Sequence, residues 1–167
     1  MSAAGVFTAN LVQAAPVQVS RDHLGDGRAA AVVLNAGNAN AATGENGRRD
    51  ARRMCELTAE SLGCAPEDVL VCSTGLIGVP LPMAPIEAGI PELAETLGGH
   101  GNLAAEAILT TDTVRKEARE RVELADGTAV TVGGMAKGAA MLAPSMATML
   151  AALTTDAAVD SPALHEM

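Results

Sequence analysis

TVRKEARERVELADGTAVTVGGM, residues 113–135, has the pattern of two strands joined by a turn. Residues 113–124 and 128–135 flank the pair Asp126-Gly127, and both segments contain β-branched residues. An Asp-Gly pair favours a tight turn because both residues tolerate a positive φ better than most others do. The stretch therefore predicts an antiparallel β-hairpin.

Outside this hairpin, strand and helix patterns alternate along the chain. Short apolar runs predict strands over residues 5–12, 28–34, 68–72 and 149–155. Apolar residues at spacings of three and four predict helices over residues 48–62, 85–97 and 102–109. The predicted buried face of the first helix consists of Ala51, Met54, Cys55, Thr58 and Leu62. Residues 35–47 are predicted to form a polar loop, and residues 16–24 fit no single pattern. This alternation, with the antiparallel hairpin, indicates an α/β fold with a mixed or antiparallel sheet.

Three residues are predicted to mark helix ends. Gly63 is suited to be the C-cap of the first helix, and Asn102 is a plausible N-cap of the third. Ser161 is predicted to cap a last helix that has Pro162 at its first position.

Length and composition exclude several classes of function. The chain has 167 residues, which suits one domain with its own core. Its formal net charge is -9 and only 1% of its residues are aromatic, so we expect no nucleic-acid surface. Cys55, Cys64 and Cys72 form no CxxC pair, so no metal site is expected. Sparse cysteines and the lack of a membrane-spanning apolar run indicate a cytoplasmic protein without a membrane partner.

Four stretches contain residue types that could carry chemistry. CSTG at residues 72–75 combines a hydroxyl with a glycine, which is what an oxyanion hole needs. GGMAKGAAMLAPSMATML at residues 133–150 is rich in small residues and holds a single lysine, Lys137. TTDT at 110–113 and NAGNAN at 35–40 are rich in hydrogen-bonding side chains. Taken singly, each stretch is explained more simply by a turn, a strand or a set of helix caps than by chemistry.

Taken together, the motifs resemble one family. NAGNANAATG, CSTGLIGVPLPM, AILTTDT, GGMAKGAAMLAP and SMATMLAALTTDA, in this order, are similar to the ornithine acetyltransferases, also called glutamate N-acetyltransferases, of arginine biosynthesis. The opening AGVFTANLVQAAPV resembles them too, so the likeness covers nearly the whole chain. It implies a layered α/β (α+β) sandwich of the self-processing, N-terminal-nucleophile-like type, incomplete in this chain.

The resemblance also implies self-cleavage. Family members are made as a precursor that cuts itself before the threonine of the MATML motif, which here places the cut between Ala147 and Thr148. Residues 1–147 then correspond to an α-chain segment and residues 148–167 to the truncated start of a β chain. Cleavage frees the α-amine of Thr148, which can act as the base for its own hydroxyl.

Further roles follow from the same resemblance. Thr74 and Gly75 correspond to the oxyanion hole, while Lys137 and Thr110 join Thr148 as substrate contacts, with Thr111 open as an alternative to Thr110. The acetyl group passes from N-acetylornithine to Thr148 and then to glutamate, a ping-pong reaction without a cofactor. Acetyl-CoA serves as a further donor in bifunctional members, and intact members pair αβ units into a heterotetramer.

Two other readings stay open. A related N-terminal-nucleophile amidase or aminopeptidase would pass the acyl group to water instead of to glutamate. Alternatively, the chain is an inactive α-type fragment that only associates with a β-type partner, because truncated strands leave sheet edges and apolar faces exposed.

Overall fold

A computed structural model describes residues 1–138 and 149–167 of the chain. The helices and strands of these residues follow in chain order: α1 (Ala15–His23), β1 (Ala31–Asn38), α2 (Gly44–Leu62), β2 (Val69–Leu76), α3 (Met83–Glu95), α4 (Gly101–Ala107), β3 (Lys116–Glu123), β4 (Ala129–Lys137), β5 (Leu150–Thr155) and α5 (Ser161–Glu166). The predicted mixture of helices and strands is confirmed.

The described strands form two separate sheets rather than one. Strands β1 and β2 pair in parallel, while β3, β4 and β5 form an antiparallel sheet in chain order. The predicted hairpin is β3–β4, and the last predicted strand is β5. A parallel pair needs a crossover, and α2 supplies it between β1 and β2. The expected mixed or antiparallel sheet is thus divided between a parallel unit and an antiparallel unit.

The core lies between α2 and the parallel pair. Ala51, Met54 and Cys55 on α2 are buried, as are Val33 of β1 and Val71 of β2. These side chains are small or flexible, so helix and sheet approach each other closely without aromatic rings. The predicted buried face of α2 is confirmed for these residues, and Gly63 closes the helix with a φ of 70°. Leu62, expected on that face, is instead 38% exposed because the helix ends there.

Helix α1 covers the second edge of strand β2. The Ser20 hydroxyl donates to the Val71 carbonyl at 2.7 Å and accepts from the Val71 N–H at 2.8 Å. A serine side chain therefore satisfies the backbone groups that a third strand would otherwise pair. Residues 16–24, whose sequence fits no single pattern, thus lie largely in helix α1 against this edge.

Residues 5–12 do not form the predicted strand. Leu11 is 99% exposed, and side-chain oxygens of Thr8 and Asn10 accept hydrogen bonds from the backbone N–H groups of Asn10 and Val12. These local bonds satisfy the backbone in place of a neighbouring strand. The predicted loop over 35–47 was also too long, because pairing with β2 extends β1 to Asn38 and α2 begins at Gly44.

Two predicted N-caps were wrong by one or two residues. Helix α4 begins at Gly101 after His100, and no side chain caps it, so Asn102 lies inside the helix. In α5 the cap is Asp160, whose carboxylate accepts from the Ala163 N–H at 2.9 Å. Ser161 lies one position inside, where its hydroxyl instead donates to the Ala3 carbonyl at 3.2 Å.

One face of the antiparallel sheet carries exposed apolar side chains. Val122, Val132 and Leu153 are 48%, 40% and 72% exposed, and strand pairing places all three on the same face. Lys137 lies on the opposite face, because it is an odd number of residues from Val132 along β4.

Candidate active site

A buried lysine brings two distant threonines together. Lys137, the last residue of β4, is 5% exposed. Its Nζ donates to Thr110 Oγ1 at 2.8 Å and to Thr74 Oγ1 at 3.1 Å. Thr110 follows α4, and Thr74 is near the end of β2, so the cluster forms where the two sheets meet. Lys137 therefore lies within hydrogen-bonding distance of two other predicted site residues, Thr74 and Thr110.

Asp112 supplies the negative charge of this cluster. Its side chain is fully buried, and its Oδ2 lies 3.8 Å from Lys137 Nζ. Its Oδ1 accepts from Lys116 Nζ at 2.7 Å and from the Gly138 backbone N–H at 3.0 Å. A buried ammonium is costly unless a counter-charge lies close to it. Asp112 therefore makes the burial of Lys137 tolerable and ties the end of β4 to the segment that carries Thr110.

The sequence interpretation missed Asp112. It treated the TTDT stretch as backbone caps, although that stretch contains an acidic side chain. A usable signal was present, because Lys137 is the single lysine in a long run of small and apolar residues. A lysine among apolar residues is expected to be buried, and a buried lysine requires a carboxylate partner. Asp112 is an acid of this kind, because it follows the apolar residues 107–109.

Gly75 lies in a place that only glycine can occupy. Its φ is 130°, and it pairs with Gly37 of β1, whose φ is 119°. A Cβ atom added to Gly75 would overlap the carbonyl group of Gly37 and approach the backbone nitrogen of Asn38 at 2.7 Å. Strands β1 and β2 therefore come unusually close directly after Thr74. This close approach holds in place the Thr74–Gly75 peptide, whose N–H is part of the predicted oxyanion hole.

The cysteine beside this site is not a nucleophile. Burial raises the pKa of the Cys72 thiol to about 11. A thiol with that pKa is almost wholly protonated at neutral pH, and the thiolate is the reactive form. Burial likewise raises the pKa of Cys55, to about 12. The described part of the site thus offers hydroxyl and ammonium groups rather than a reactive thiolate.

The NAGNAN loop is explained by its own hydrogen bonds. Asn40 is fully buried with a φ of 48°, a conformation that asparagine tolerates. Its side-chain amide donates to the Gly47 carbonyl at 2.8 Å, and its side-chain oxygen accepts from Thr43 Oγ1 at 2.7 Å. Asn40 anchors the start of α2, whereas residues 35–38 of the same stretch belong to strand β1 and not to the predicted tight turn.

Asn40→Ala is expected to destabilise the chain by about 2 kcal/mol, because it removes two side-chain hydrogen bonds of a buried residue and leaves alanine at a left-handed φ. Asn46→Ala is the matched control, since the exposed Asn46 side chain bonds only to Arg49 within the described residues. Urea unfolding of both variants measures the difference. Equal midpoints for the two variants would contradict the anchoring role of Asn40.

Ala147 and Thr148 lie outside the described residues. The neighbouring strand positions are described, and Lys137 pairs with Leu150 across β4 and β5. Thr148 precedes Leu150 by two residues in sequence. Thr111 is exposed, and none of the hydrogen bonds found in the described residues joins it to Lys137.

Residues 1–138 and 149–167 contain no group of three His, Cys, Asp or Glu side chains that could hold a metal ion. Over the same residues, no helix is both long enough and apolar enough to span a bilayer.

Comparison with known proteins identifies relatives of this fold. A crystal structure of ornithine acetyltransferase complexed with ornithine, from Mycobacterium tuberculosis, matches with a TM-score of 0.78 and 43% identity, covering 92% of this chain and 78% of that one. A crystal structure of arginine biosynthesis bifunctional protein ArgJ from Bacillus halodurans matches with a TM-score of 0.78 and 40% identity, covering 89% and 77%. The arginine biosynthesis bifunctional protein ArgJ of Symbiobacterium thermophilum is 56% identical over 166 residues, covering 99% of this chain and 41% of the relative.

The fold is therefore the mixed α/β architecture of the solved ornithine acetyltransferases. Within that class the chain belongs to the ArgJ family, whose model matches residues 1–167. The chain spans about two fifths of the length of the curated relatives that it matches, such as those of Symbiobacterium thermophilum and Thermobifida fusca.

Proposed function

We propose that residues 1–167 are part of a longer enzyme that transfers an acetyl group from N-acetylornithine to glutamate. The observation that carries this proposal is the cluster at the end of strand β4 in which the buried Lys137 donates to both Thr74 and Thr110. Leu150 pairs with Lys137, and the proposed nucleophile Thr148 precedes Leu150 by two residues in sequence.

Before the first turnover, the Thr148 hydroxyl attacks the Ala147 carbonyl carbon and displaces the Thr148 nitrogen. Water then hydrolyses the resulting ester, which leaves a carboxylate on Ala147 and restores the hydroxyl of Thr148 beside its free α-amine. This amine takes the proton of the Thr148 hydroxyl as the oxygen attacks the acetyl carbonyl carbon of N-acetylornithine. The amide C–N bond then breaks, and the departing ornithine amine receives that proton. The amine of glutamate next attacks the acetyl ester, forms N-acetylglutamate and returns a proton to the threonine oxygen.

The residues around Lys137 have matching roles in this proposal. The Thr74 hydroxyl and the Gly75 N–H stabilise the negative oxygen of each tetrahedral intermediate, and one such donor is typically worth about 3 kcal/mol of barrier. Thr110 and Lys137 contact the substrate. Thr110 is preferred to Thr111 because its hydroxyl accepts from Lys137 Nζ at 2.8 Å.

The test is an assay of the complete polypeptide that contains this chain. With N-acetylornithine alone, we expect a burst of ornithine equal to the enzyme and an acetyl group on the fragment that begins at Thr148. Adding glutamate should then yield N-acetylglutamate. Release of acetate instead would establish an amidase, and acetyl-CoA in place of N-acetylornithine tests the second donor.

The reaction as proposed needs no cofactor, because both half-reactions use only the threonine oxygen and amine groups. We place it in the cytoplasm, since free cysteines persist in a reducing compartment. We also propose that the remaining polypeptide completes the substrate pocket and that two αβ units form a heterotetramer. Native mass spectrometry of the complete protein tests that assembly.

A second candidate function is association alone, and the exposed face of Val122, Val132 and Leu153 favours it. Apolar patches of this kind are typical of surfaces that another polypeptide covers. In this reading the chain binds a β-type partner and has no activity by itself.

Leu153→Glu is expected to weaken self-association of the isolated chain about 30-fold, because covering a leucine contributes about 2 kcal/mol. Thr154→Glu is the matched control, since Thr154 is exposed on the opposite face of the same strand. Sedimentation velocity over a range of concentrations measures both variants. A monodisperse monomer of the unmodified chain would contradict the role of this face.

A further inference from the structure

We infer that Asp112 is a positioning residue for the acetyl transfer, and that it acts through Lys137 on the hydroxyl of Thr74. The inference rests on the proposed function and adds to it. The chain of contacts runs from the buried Asp112 carboxylate to the Lys137 ammonium and then to Thr74 Oγ1. Its effect is to hold the Thr74 hydroxyl as a hydrogen-bond donor toward the reacting acyl oxygen.

The first step of the argument concerns the direction of the hydrogen bonds. A lysine ammonium has three donors and no acceptor, so the Thr74 oxygen must accept from Lys137 through a lone pair. The hydroxyl hydrogen of Thr74 is then directed elsewhere, and it donates to no group within residues 1–138 and 149–167. A hydroxyl that accepts from a cation is also a stronger donor, because successive hydrogen bonds polarise one another. This is the state that an oxyanion-hole hydroxyl requires.

The second step concerns the charge that keeps Lys137 in place. The two short hydrogen bonds of its Nζ go to Thr110 and Thr74, whereas Asp112 Oδ2 lies at 3.8 Å. Asp112 therefore compensates the buried charge without taking the hydrogen bonds away from the threonines. Its other oxygen is fixed by Lys116 Nζ and the Gly138 N–H, so the carboxylate cannot turn easily.

The third step is the consequence of removing that charge. Asp112→Asn keeps the size of the side chain but leaves the Lys137 ammonium buried without a counter-charge. An ammonium without its counter-charge is costly to bury, so the Lys137 side chain shifts toward solvent and its hydrogen bond to Thr74 is lost. The Thr74 hydroxyl is then no longer held with its hydrogen toward the acyl oxygen. The variant should therefore lose transition-state stabilisation rather than substrate affinity.

The experiment is a double-mutant cycle in the complete polypeptide. Asp112→Asn should lower kcat at least tenfold with KM for N-acetylornithine changed by less than threefold. In a Thr74→Ala background the same substitution should lower kcat by less than twofold, because the hydroxyl on which it acts is gone. Rates are normalised to cleaved enzyme, which is counted by intact mass. Arg115→Gln, which removes exposed ion pairs with Glu106 and Glu117, should leave kcat within twofold.

A second variant covers the case in which Asp112→Asn does not fold. Asp112→Glu keeps the counter-charge and lengthens the side chain by one methylene, so no uncompensated ion is left in the core. It should retain more kcat than Asp112→Asn, and any loss of kcat should likewise vanish in the Thr74→Ala background. Losses that multiply in either cycle, or that fall on KM, would overturn the inference while the proposed function stands. An unmodified enzyme that transfers no acetyl group would overturn both.

Discussion

Thr148→Ala is expected to leave the complete polypeptide uncut and to lower acetyl transfer by about 10⁴-fold or more. The substitution removes the hydroxyl that attacks the acetyl carbon. It also removes the hydroxyl proposed to cut the bond after Ala147, so the α-amine that serves as the base is never freed. Removal of the Thr148 hydroxyl oxygen therefore abolishes both the cleavage and the acetyl transfer. The remaining groups at Thr74, Gly75 and Lys137 then have no nucleophile to assist.

Intact-mass measurement and an N-acetylglutamate assay follow the two losses separately. Thr148→Ser should retain part of both activities, because it keeps the hydroxyl and lacks only a methyl group. Thr154→Ala, on an exposed threonine of β5, should leave both unchanged. An uncut Thr148→Ala protein that still transfers acetyl groups at the normal rate would show that another residue is the nucleophile.

The elements that the sequence predicts well are those with a complete local signal. The β3–β4 hairpin has its Asp126-Gly127 turn between two strand patterns, and α2 has a buried stripe that ends at Gly63. In each case the residues that determine the structure are neighbours in sequence. The division into two sheets has no such signal, because strand pairing depends on contacts between distant segments.

The strand prediction over residues 5–12 was wrong because it also depended on contacts with distant segments. Its apolar and β-branched residues fit a strand, but a strand also needs a partner edge, and α1 already covers the free edge of β2 through Ser20. Strand propensity is weaker than this tertiary competition. The pattern was correctly described and the conclusion from it was wrong.

The candidate site was likewise not predicted from local residue patterns alone. Residue patterns alone left Thr74, Thr110 and Lys137 as parts of turns and strands, and only the resemblance to a family assigned them together. In the structure they are joined across 27 and 63 residues of sequence by one buried ammonium. Asp112 was missed because its role appears only once Lys137 is known to be buried.

Gly75→Ala is expected to lower kcat/KM by roughly 100-fold to 1,000-fold and to destabilise the fold by about 3 kcal/mol. The φ of 130° at Gly75 is one that alanine rarely adopts, and the added Cβ would overlap the Gly37 carbonyl group of the paired strand. The overlapped atoms belong to the Gly37 backbone and cannot turn aside as a side chain can. Strands β1 and β2 would therefore have to separate to make room for the Cβ. That separation moves the Gly75 N–H away from the acyl oxygen and shifts Thr74 from the hydrogen bond with Lys137.

Variants of two nearby glycines distinguish the effect of a positive φ from the effect of the overlap with Gly37. Gly78→Ala introduces a Cβ at a φ of 79° with no atom within 4 Å, so it should cost only about 1 kcal/mol and little activity. Gly37→Ala also meets open space, at a φ of 119°, and tests strain on the other strand of the pair. Thermal unfolding and kcat/KM of the three variants should rank Gly75→Ala as the most damaging by both measures. If Gly78→Ala were equally damaging, backbone strain alone would explain the loss, and the close approach of β1 to β2 at Thr74 would have no part in the site.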